Sequence, residues 1–266
     1  MKFIRFLDQK NDIKFGVLEG TRIQLLDRTF LDSQRQLTNQ WAELKEVRIL
    51  APVEPSKVVC VGLNYSLHVE EIKQSLHLKE KDSSAPNDPV IFLKPQTSVI
   101  GPEDNIIYPK ISQRVDFEAE LAIVIGKTIK GVTEEEAFDA ILGYTCANDV
   151  TARDLQQKDG QWTRGKSFDT FCPLGPWVVT DVDPSNLEIQ LSLNGEIKQS
   201  SNTKYFMASV PKLVSFISQV MTLFPGDVVL TGTPEGVGPM QPGDEVVVKI
   251  PAIGELHNRI IAERVS

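Results

Sequence analysis

Residues 115–125 read VDFEAELAIVI. In an extended chain alternate side chains share a face, so Phe117, Ala119, Leu121 and Ile123 make one wholly apolar side. Glu118 and Glu120 start the other side, and Ala122 and Val124 continue it without charge. A solvated strand face would not carry that apolar continuation. The run therefore predicts a strand at least partly covered on both faces. Two carboxylates placed together on such a strand repel each other and are poorly solvated unless a cation compensates them.

Further strands are predicted on both sides of this run. VVCVG, PVIFLK, PWVVT, DVVLTG, DEVVVKI and ELHNRIIAERV carry β-branched or alternating patterns. Leu187, Ile189, Leu191 and Leu193 alternate up to Asn194-Gly195, a strong hairpin signal. PGD at Pro225 and at Pro242 marks two turns, each just before a strand. Helices are few. One is expected after Asn64. A second begins at Thr133, whose spacing to Glu136 fits a capping box. A third runs from about Ser209, with Val210, Leu213, Val214, Ile217, Val220 and Met221 on one stripe. Residues 1–51 read as a small N-terminal α+β domain, with strands in KFIRFLD, IKFGVLEG and TRIQLLD and a helix over LTNQWAELKEV. Proline-punctuated APVEPSK then leads into the larger remainder, 52–266. The fold class is a β-rich mixed α+β protein.

The chain has 266 residues, 41% of them hydrophobic and 24% charged, with a formal net charge of -8. That balance suits a globular protein and argues against a nucleic-acid surface, which normally shows a basic face. The N-terminus MKFIRFLDQK has no apolar signal-peptide core, and no apolar run is long enough to span a bilayer. Cys60, Cys146 and Cys172 are widely spaced and odd in number, so neither a disulfide framework nor a thiolate zinc site is expected. These features predict a cytoplasmic protein with no membrane or nucleic-acid partner.

Glu118 and Glu120 become a candidate metal site if Asp149, which follows the strand-like ILGYTCAN, folds back to them. Three carboxylates plus waters suit a hard ion such as Mg²⁺ or Mn²⁺. In SLHVEE, His68 and Glu71 stand at i and i+3, where a carboxylate can orient an imidazole as a general base. His77 and His257 show no such partner. Residues 160–167, GQWTRGKS, satisfy the phosphate-loop pattern, but no apolar strand precedes them and prolines follow, so the motif's mechanism has no context here. The glycine-rich stretch 231–238, TGTPEGVG, follows a strand and can present backbone N–H groups to an anion.

The pieces VGLNYSLHVEE, PVIFLKP, VDFEAELAIVIGK, GYTCANDVTARDLQ, RGKSFDTFCPLGPWVV and LTGTPEGVGPMQPGD occur in this order. Together they resemble the fumarylacetoacetate hydrolase family over nearly all of residues 52–250. The resemblance implies a β-roll-like catalytic domain behind a variable small N-terminal domain, and a homodimer. It implies a divalent ion, Mg²⁺ with Mn²⁺ as the variant, at Glu118, Glu120 and Asp149. It makes His68 and Glu71 a water-activating dyad on a segment that in relatives closes over the ligand. Lys166 and Gln156 match positions that contact substrate oxygens, and Thr233 matches a carboxylate contact. Arg153 and Tyr65 are further carry-overs to the substrate site, and Lys94 matches the FLKP motif.

The function this resemblance implies is that of a hydrolase or decarboxylase. It would cleave C–C bonds of a small anionic 2-oxo acid, acylpyruvate-like or oxaloacetate-like, through a metal-stabilised enolate. The alternative within the same chemistry is an isomerase or decarboxylase of 2-hydroxyhepta-2,4-diene-1,7-dioate-type acids from aromatic catabolism. The alternative of another class is a metal- and ligand-binding family member without turnover. The polar insert KEKDSSAPND after the dyad bears on substrate choice.

Overall fold

A computed structural model describes residues 1–75 and 88–264 of the chain. His77 and nearly all of the KEKDSSAPND insert lie outside the described residues. The architecture is β-rich mixed α+β, as the strand patterns predict. A twelve-stranded sheet forms its spine. Its ordered path runs Leu37–Glu43, Arg22–Leu26, Ile13–Glu19, Lys2–Leu7, Cys172–Val179, Ile141–Asn148, Ala119–Ile125, Val228–Leu230, Val58–Gly62 and Val90–Lys94. A five-stranded sheet, including Glu188–Leu193, Glu245–Ile250 and Gly254–Ala262, packs nearby, and a three-stranded sheet joins Thr151–Ala152, Val115–Phe117 and Gly238–Met240. The four N-terminal strands enter the large sheet where Lys2–Leu7 pairs with Cys172–Val179.

The stretch 115–125 is covered on both faces. Leu121 and Ile123 sit in the main core with Leu191, Val248, Leu213 and Ile217. Ala122 and Val124 sit in a second core with Phe3, Val17 and Phe30. The single strand expected there is, however, two. The ladder breaks at Glu118, where the chain passes from the three-stranded sheet into the twelve-stranded one. Glu118 N instead donates to Asn148 Oδ1 at 2.9 Å. Its own ladder position is thus given up to the neighbouring strand's side chain, which turns the residue out of the regular pleat.

Five helices are present among the described residues: α1 Ser66–Ser75, α2 Glu134–Asp139, α3 Arg153–Asp159, α4 Thr163–Lys166 and α5 Val210–Val220. α2 carries the expected capping box, with Thr133 N donating to Glu136 Oε2 and Glu136 N to Thr133 Oγ1. α5 starts at the Ser209 cap and buries Val210, Leu213, Val214 and Ile217, but Val220 is exposed and Met221 lies past its end. The helix expected over LTNQWAELKEV is absent. Leu37–Glu43 is a strand, followed by one 3₁₀ turn at Leu44–Glu46. The open edge of Arg22–Leu26 captures it: Gln24 pairs with Trp41 and Ile23 with Ala42, and the Arg22 guanidinium lies 4.6 Å from the centre of the Trp41 ring. Sheet pairing outweighs the local helix propensity. Asn194 and Gly195 both adopt positive φ in the predicted hairpin turn.

No helix among the described residues is long and apolar enough to cross a membrane.

Candidate active site

Adjacent strands bring the three carboxylates together. Ala119–Ile125 pairs antiparallel with Ile141–Asn148, and Ala119 faces Asn148. The next position outward is therefore Glu118 opposite Asp149, and Asp149 N donates to Glu118 O at 2.8 Å. Glu118, Glu120 and Asp149 are all buried, and each offers an oxygen within 4.8 Å of the others.

Basic side chains compensate this charge unevenly. Lys166 Nζ donates to Glu118 Oε2 at 2.8 Å and to Asp149 Oδ2 at 2.7 Å. Arg153 Nη2 donates to Glu118 Oε1 at 2.5 Å. Burial would raise the Glu118 pKa, but Lys166 and Arg153 overcome it and hold the carboxyl well below the usual range. Burial likewise works against the Lys166 charge, and Asp149 and Glu118 reverse that, keeping the ammonium protonated. Glu120 has no basic side chain on it among the described residues. Its contact is a backbone one, Gly232 N donating to Oε2 at 2.6 Å. Burial first, then the charges of Asp149 and Glu118, push its pKa well above the ordinary value. An all-oxygen set with one uncompensated carboxylate is what a hard divalent cation would satisfy. The residues present fit such an ion.

Gly232 makes the Glu120 contact possible. It holds φ +98°, and a Cβ there would stand 2.8 Å from the Cβ of Asn64. Asn64 in turn staples its loop to this one, Nδ2 donating to Thr231 O at 2.8 Å. The TGTPEGVG loop thus does present backbone N–H groups to anions. The anions are the protein's own Glu120 and, through Gly236 N at 3.1 Å, Glu71.

α1 sets His68 and Glu71 one turn apart, with Nδ1 and Glu71 Oε2 at 3.0 Å. With the proton assigned to Nδ1 by that bond, Nε2 carries the lone pair. Burial would raise the Glu71 pKa, but the bonds from His68 and Gly236 outweigh it and lower it. His68, Glu71 and all three triad carboxylates line one cavity of about 410 Å³. Lys166, Arg153, Gln156 and Thr233 line it too. Gln156 Oε1 accepts from Arg153 at 2.7 Å, which turns its amide N–H₂ outward, and Thr233 Oγ1 accepts from Gln199, which leaves its own hydroxyl proton to donate. Nine of the ten residues singled out in the sequence therefore share this cavity. Tyr65 does not. It is 1% exposed, stacked edge-on to Phe206 at 5.0 Å, and its hydroxyl meets no hydrogen-bond partner among the described residues.

Three participants carried little signal in the sequence. Lys94, wholly buried, donates to Val150 O, Lys166 O and Phe171 O at 3.0, 2.5 and 2.8 Å. Its nitrogen also lies 2.8 Å from Asp149 Oδ1. Because three carbonyls already take its three N–H groups, Asp149 Oδ1 receives its charge but no hydrogen bond. A lysine closing the apolar run VIFLK was the available clue. Asp116, buried, pairs with Arg114 and Arg153, and it extends the D-x-E-x-E alternation by one step. Trp162 sits on the cavity wall inside the phosphate-loop look-alike. α3 precedes that segment where the motif needs a strand, and α4 is one short turn.

A covered strand pair, a buried all-carboxylate triad that could hold a metal ion and a His–Glu dyad thus meet at one cavity, an arrangement suited to an enzyme of small acids. The pattern described as Fumarylacetoacetate (FAA) hydrolase C-terminal matches residues 57–261, and that described as Rv2993c-like, N-terminal, matches residues 1–52. Oxaloacetate tautomerase FAHD2A, mitochondrial, of Bos taurus is 43% identical over 262 residues, 92% of this chain and 81% of that protein. The crystal structure of 5-carboxymethyl-2-hydroxymuconate delta-isomerase from Mycobacterium smegmatis superposes with a TM-score of 0.90 at 44% identity, covering 99% of this chain and 100% of that one. That of 2-hydroxyhepta-2,4-diene-1,7-dioate isomerase from Mycobacterium marinum gives 0.89 at 43%, covering both chains fully. The chain belongs to the fumarylacetoacetate hydrolase family. Members typically use a divalent metal, and the buried acidic triad is of the kind that holds one.

Proposed function

We propose that the protein catalyses enolisation of a small 2-oxo acid, interconverting keto and enol forms of an oxaloacetate-like substrate, and works as a homodimer. The observation that carries this reading is the His68–Glu71 dyad, 3.0 Å apart, facing the same cavity as the carboxylate triad. Two relatives above 40% identity are named for proton or double-bond shifts next to a 2-oxo or 2-hydroxy acid, which is the same chemistry. A Mg²⁺ or Mn²⁺ ion held by Glu118, Glu120 and Asp149 would supply Lewis acidity at the 2-oxo oxygen. Thr233 and Gln156 bind the carboxylate beside it through their outward-facing donors. Toward the enol, His68 Nε2 takes the proton from the adjacent carbon and the 2-oxygen gains one from solvent; toward the keto form the oxygen gives up its proton and Nε2 delivers one to the carbon, while Glu71 holds the ring through Nδ1. Lys166 places positive charge where the substrate oxygen becomes negative.

A second reading uses the same groups. If His68 activates water instead, the enzyme is the hydrolase or decarboxylase that its family resemblance implies, cleaving the C–C bond beyond the enolised carbon. The two separate on product. Decay of enol-oxaloacetate, followed by its ultraviolet absorbance, should accelerate with enzyme and Mg²⁺ and stop with EDTA, without pyruvate appearing. Pyruvate release from oxaloacetate or an acylpyruvate, with no change in enol decay, would move the assignment to the second reading. No turnover of any of these would leave a binding protein.

A further inference from the structure

Three cations line the cavity, and two of them pair with carboxylates of the triad. Arg153 gives Nε to Asp116 at 2.9 Å, Nη1 to Gln156 at 2.7 Å and Nη2 to Glu118 at 2.5 Å. Lys166 is buried between Glu118 and Asp149. Arg114 is different. Its Nε and Nη2 grip Asp116 at 2.8 and 3.1 Å, its side chain is 51% exposed, and its Nη1 meets no acceptor among the described residues. Asp116 already has Arg153 as a partner, so Arg114 is not needed to neutralise it. The bidentate grip fixes the plane of the Arg114 guanidinium on the cavity lining and leaves Nη1 available.

The placement sets a direction. From the triad outward, the wall reads Glu118, Arg153, Asp116, Arg114, each in contact with the next. Arg114 is thus separated from the triad by two intervening charged groups and cannot serve the same carboxylate as Lys166 does. Two aromatic rings, Phe92 and Trp162, also line the cavity, edge to face at 5.2 Å, with the Phe92 ring centre 5.0 Å from Lys166 Nζ. Trp162 lies so close to the backbone at Gly62 that a Cβ there would be 2.6 Å from the indole. The cavity therefore combines buried cations at the triad, two aromatic rings and a second, half-exposed cation at Arg114. Five carboxylates line it against these three cations. A second anionic group entering such a cavity is repelled unless it meets a cation of its own.

We infer that Arg114 anchors a distal carboxylate, so that the cavity selects 2-oxo dicarboxylates with a short apolar or unsaturated middle over 2-oxo monocarboxylates. The inference rests on the proposed function for the orientation of the 2-oxo end, and deepens it by naming the residue that reads the far end.

The test is calorimetric titration, in Mg²⁺, of 2-oxoglutarate and 2-oxopentanoate. These acids share chain length and 2-oxo head and differ in the distal carboxylate. The wild type should bind the diacid at least tenfold more tightly. Arg114→Gln should abolish that difference and leave 2-oxopentanoate within about twofold of its wild-type affinity, since charge-assisted pairing is lost at one end only. Arg114→Lys, which keeps charge without the fork, should retain part of the preference and serves if the glutamine variant does not fold. Equal binding of the two acids by the wild type, binding of neither, or an undiminished preference in Arg114→Gln would overturn the inference. Failure of the proposed function reads differently: substrate C3 hydrogen would not exchange with solvent, while the diacid preference and its loss in Arg114→Gln would stand.

Discussion

Lys94 shows how much one side chain can hold in place. Its ammonium joins the strand Val90–Lys94 to the backbone of Val150, Lys166 and Phe171 and lies against Asp149. Lys94→Met would leave three buried carbonyls unpaired and take from Asp149 one of its two cations, Lys166 remaining. Breaking such a buried pair costs about 3–5 kcal/mol, so the variant should unfold well below the wild-type melting temperature in thermal denaturation. Glu118 and Asp149 have a different part, as the ligands proposed for the ion itself. Glu118→Ala should lose divalent-metal binding in a metal titration, because two remaining carboxylates hold Mg²⁺ poorly. Undiminished metal content would remove the site assignment. Glu71 gives a pH-dependent check. Its folded pKa lies below the ordinary value, so its contacts stabilise the fold fully above the unfolded carboxyl pKa of about 4.3. That contribution is lost as pH falls through the lower folded value. Glu71→Gln should therefore lower the melting temperature at neutral pH, and the difference should vanish in acid. A gap that widened on acidification would contradict the contact.

At the scale of elements, the sequence announced which strands would exist better than how they would meet. The alternation in residues 115–125 was enough to put Leu121 and Ala122 on opposite covered faces, which the structure buries in two separate cores. It could not show the break at Glu118, which depends on Asn148, thirty residues away. Nor could it bring Asp149 to Glu118. The pairing of Ala119 with Asn148 does that, and strand register is a tertiary fact. Local signals that need no partner were legible: the Thr133 capping box, the Ser209 cap and the Asn194-Gly195 turn. LTNQWAELKEV misled because its fate was decided by the open edge of Arg22–Leu26. The loop at Gly232 is the element most tightly tied to function. Gly232→Ala would force a side chain into positive φ and against Asn64, so it should weaken metal binding together with stability. Retention of both would mean that the Gly232–Glu120 contact positions nothing.

At the scale of the molecule, the order of six short motifs carried the functional reading, and the fold explains why they had to travel together. Each supplies one wall of a single cavity. What the order did not carry is the choice among enolisation, hydrolysis and decarboxylation, because all three begin by stabilising the same enolate. It also missed that the cysteines are all core residues. Cys60, Cys146 and Cys172 are buried, and burial pushes the Cys146 and Cys172 thiols up to about 12. A thiol-reactive disulfide at pH 8 should label none of them in the native protein and all three after unfolding. The expected homodimer should run in solution at twice the chain mass of 29.6 kDa.

The proposed enolisation turns on His68 moving a proton at the carbon beside a 2-oxo group. Exchange of the C3 hydrogens of oxaloacetate with D₂O, followed by NMR, reads that step itself. Wild type and His68→Ala are compared, with Mg²⁺ binding measured on the same samples. Exchange should be rapid in the wild type and lost on adding EDTA. It should fall by about 10²–10⁴ in His68→Ala, with metal affinity retained. Exchange at the wild-type rate in His68→Ala would contradict the role given to the imidazole.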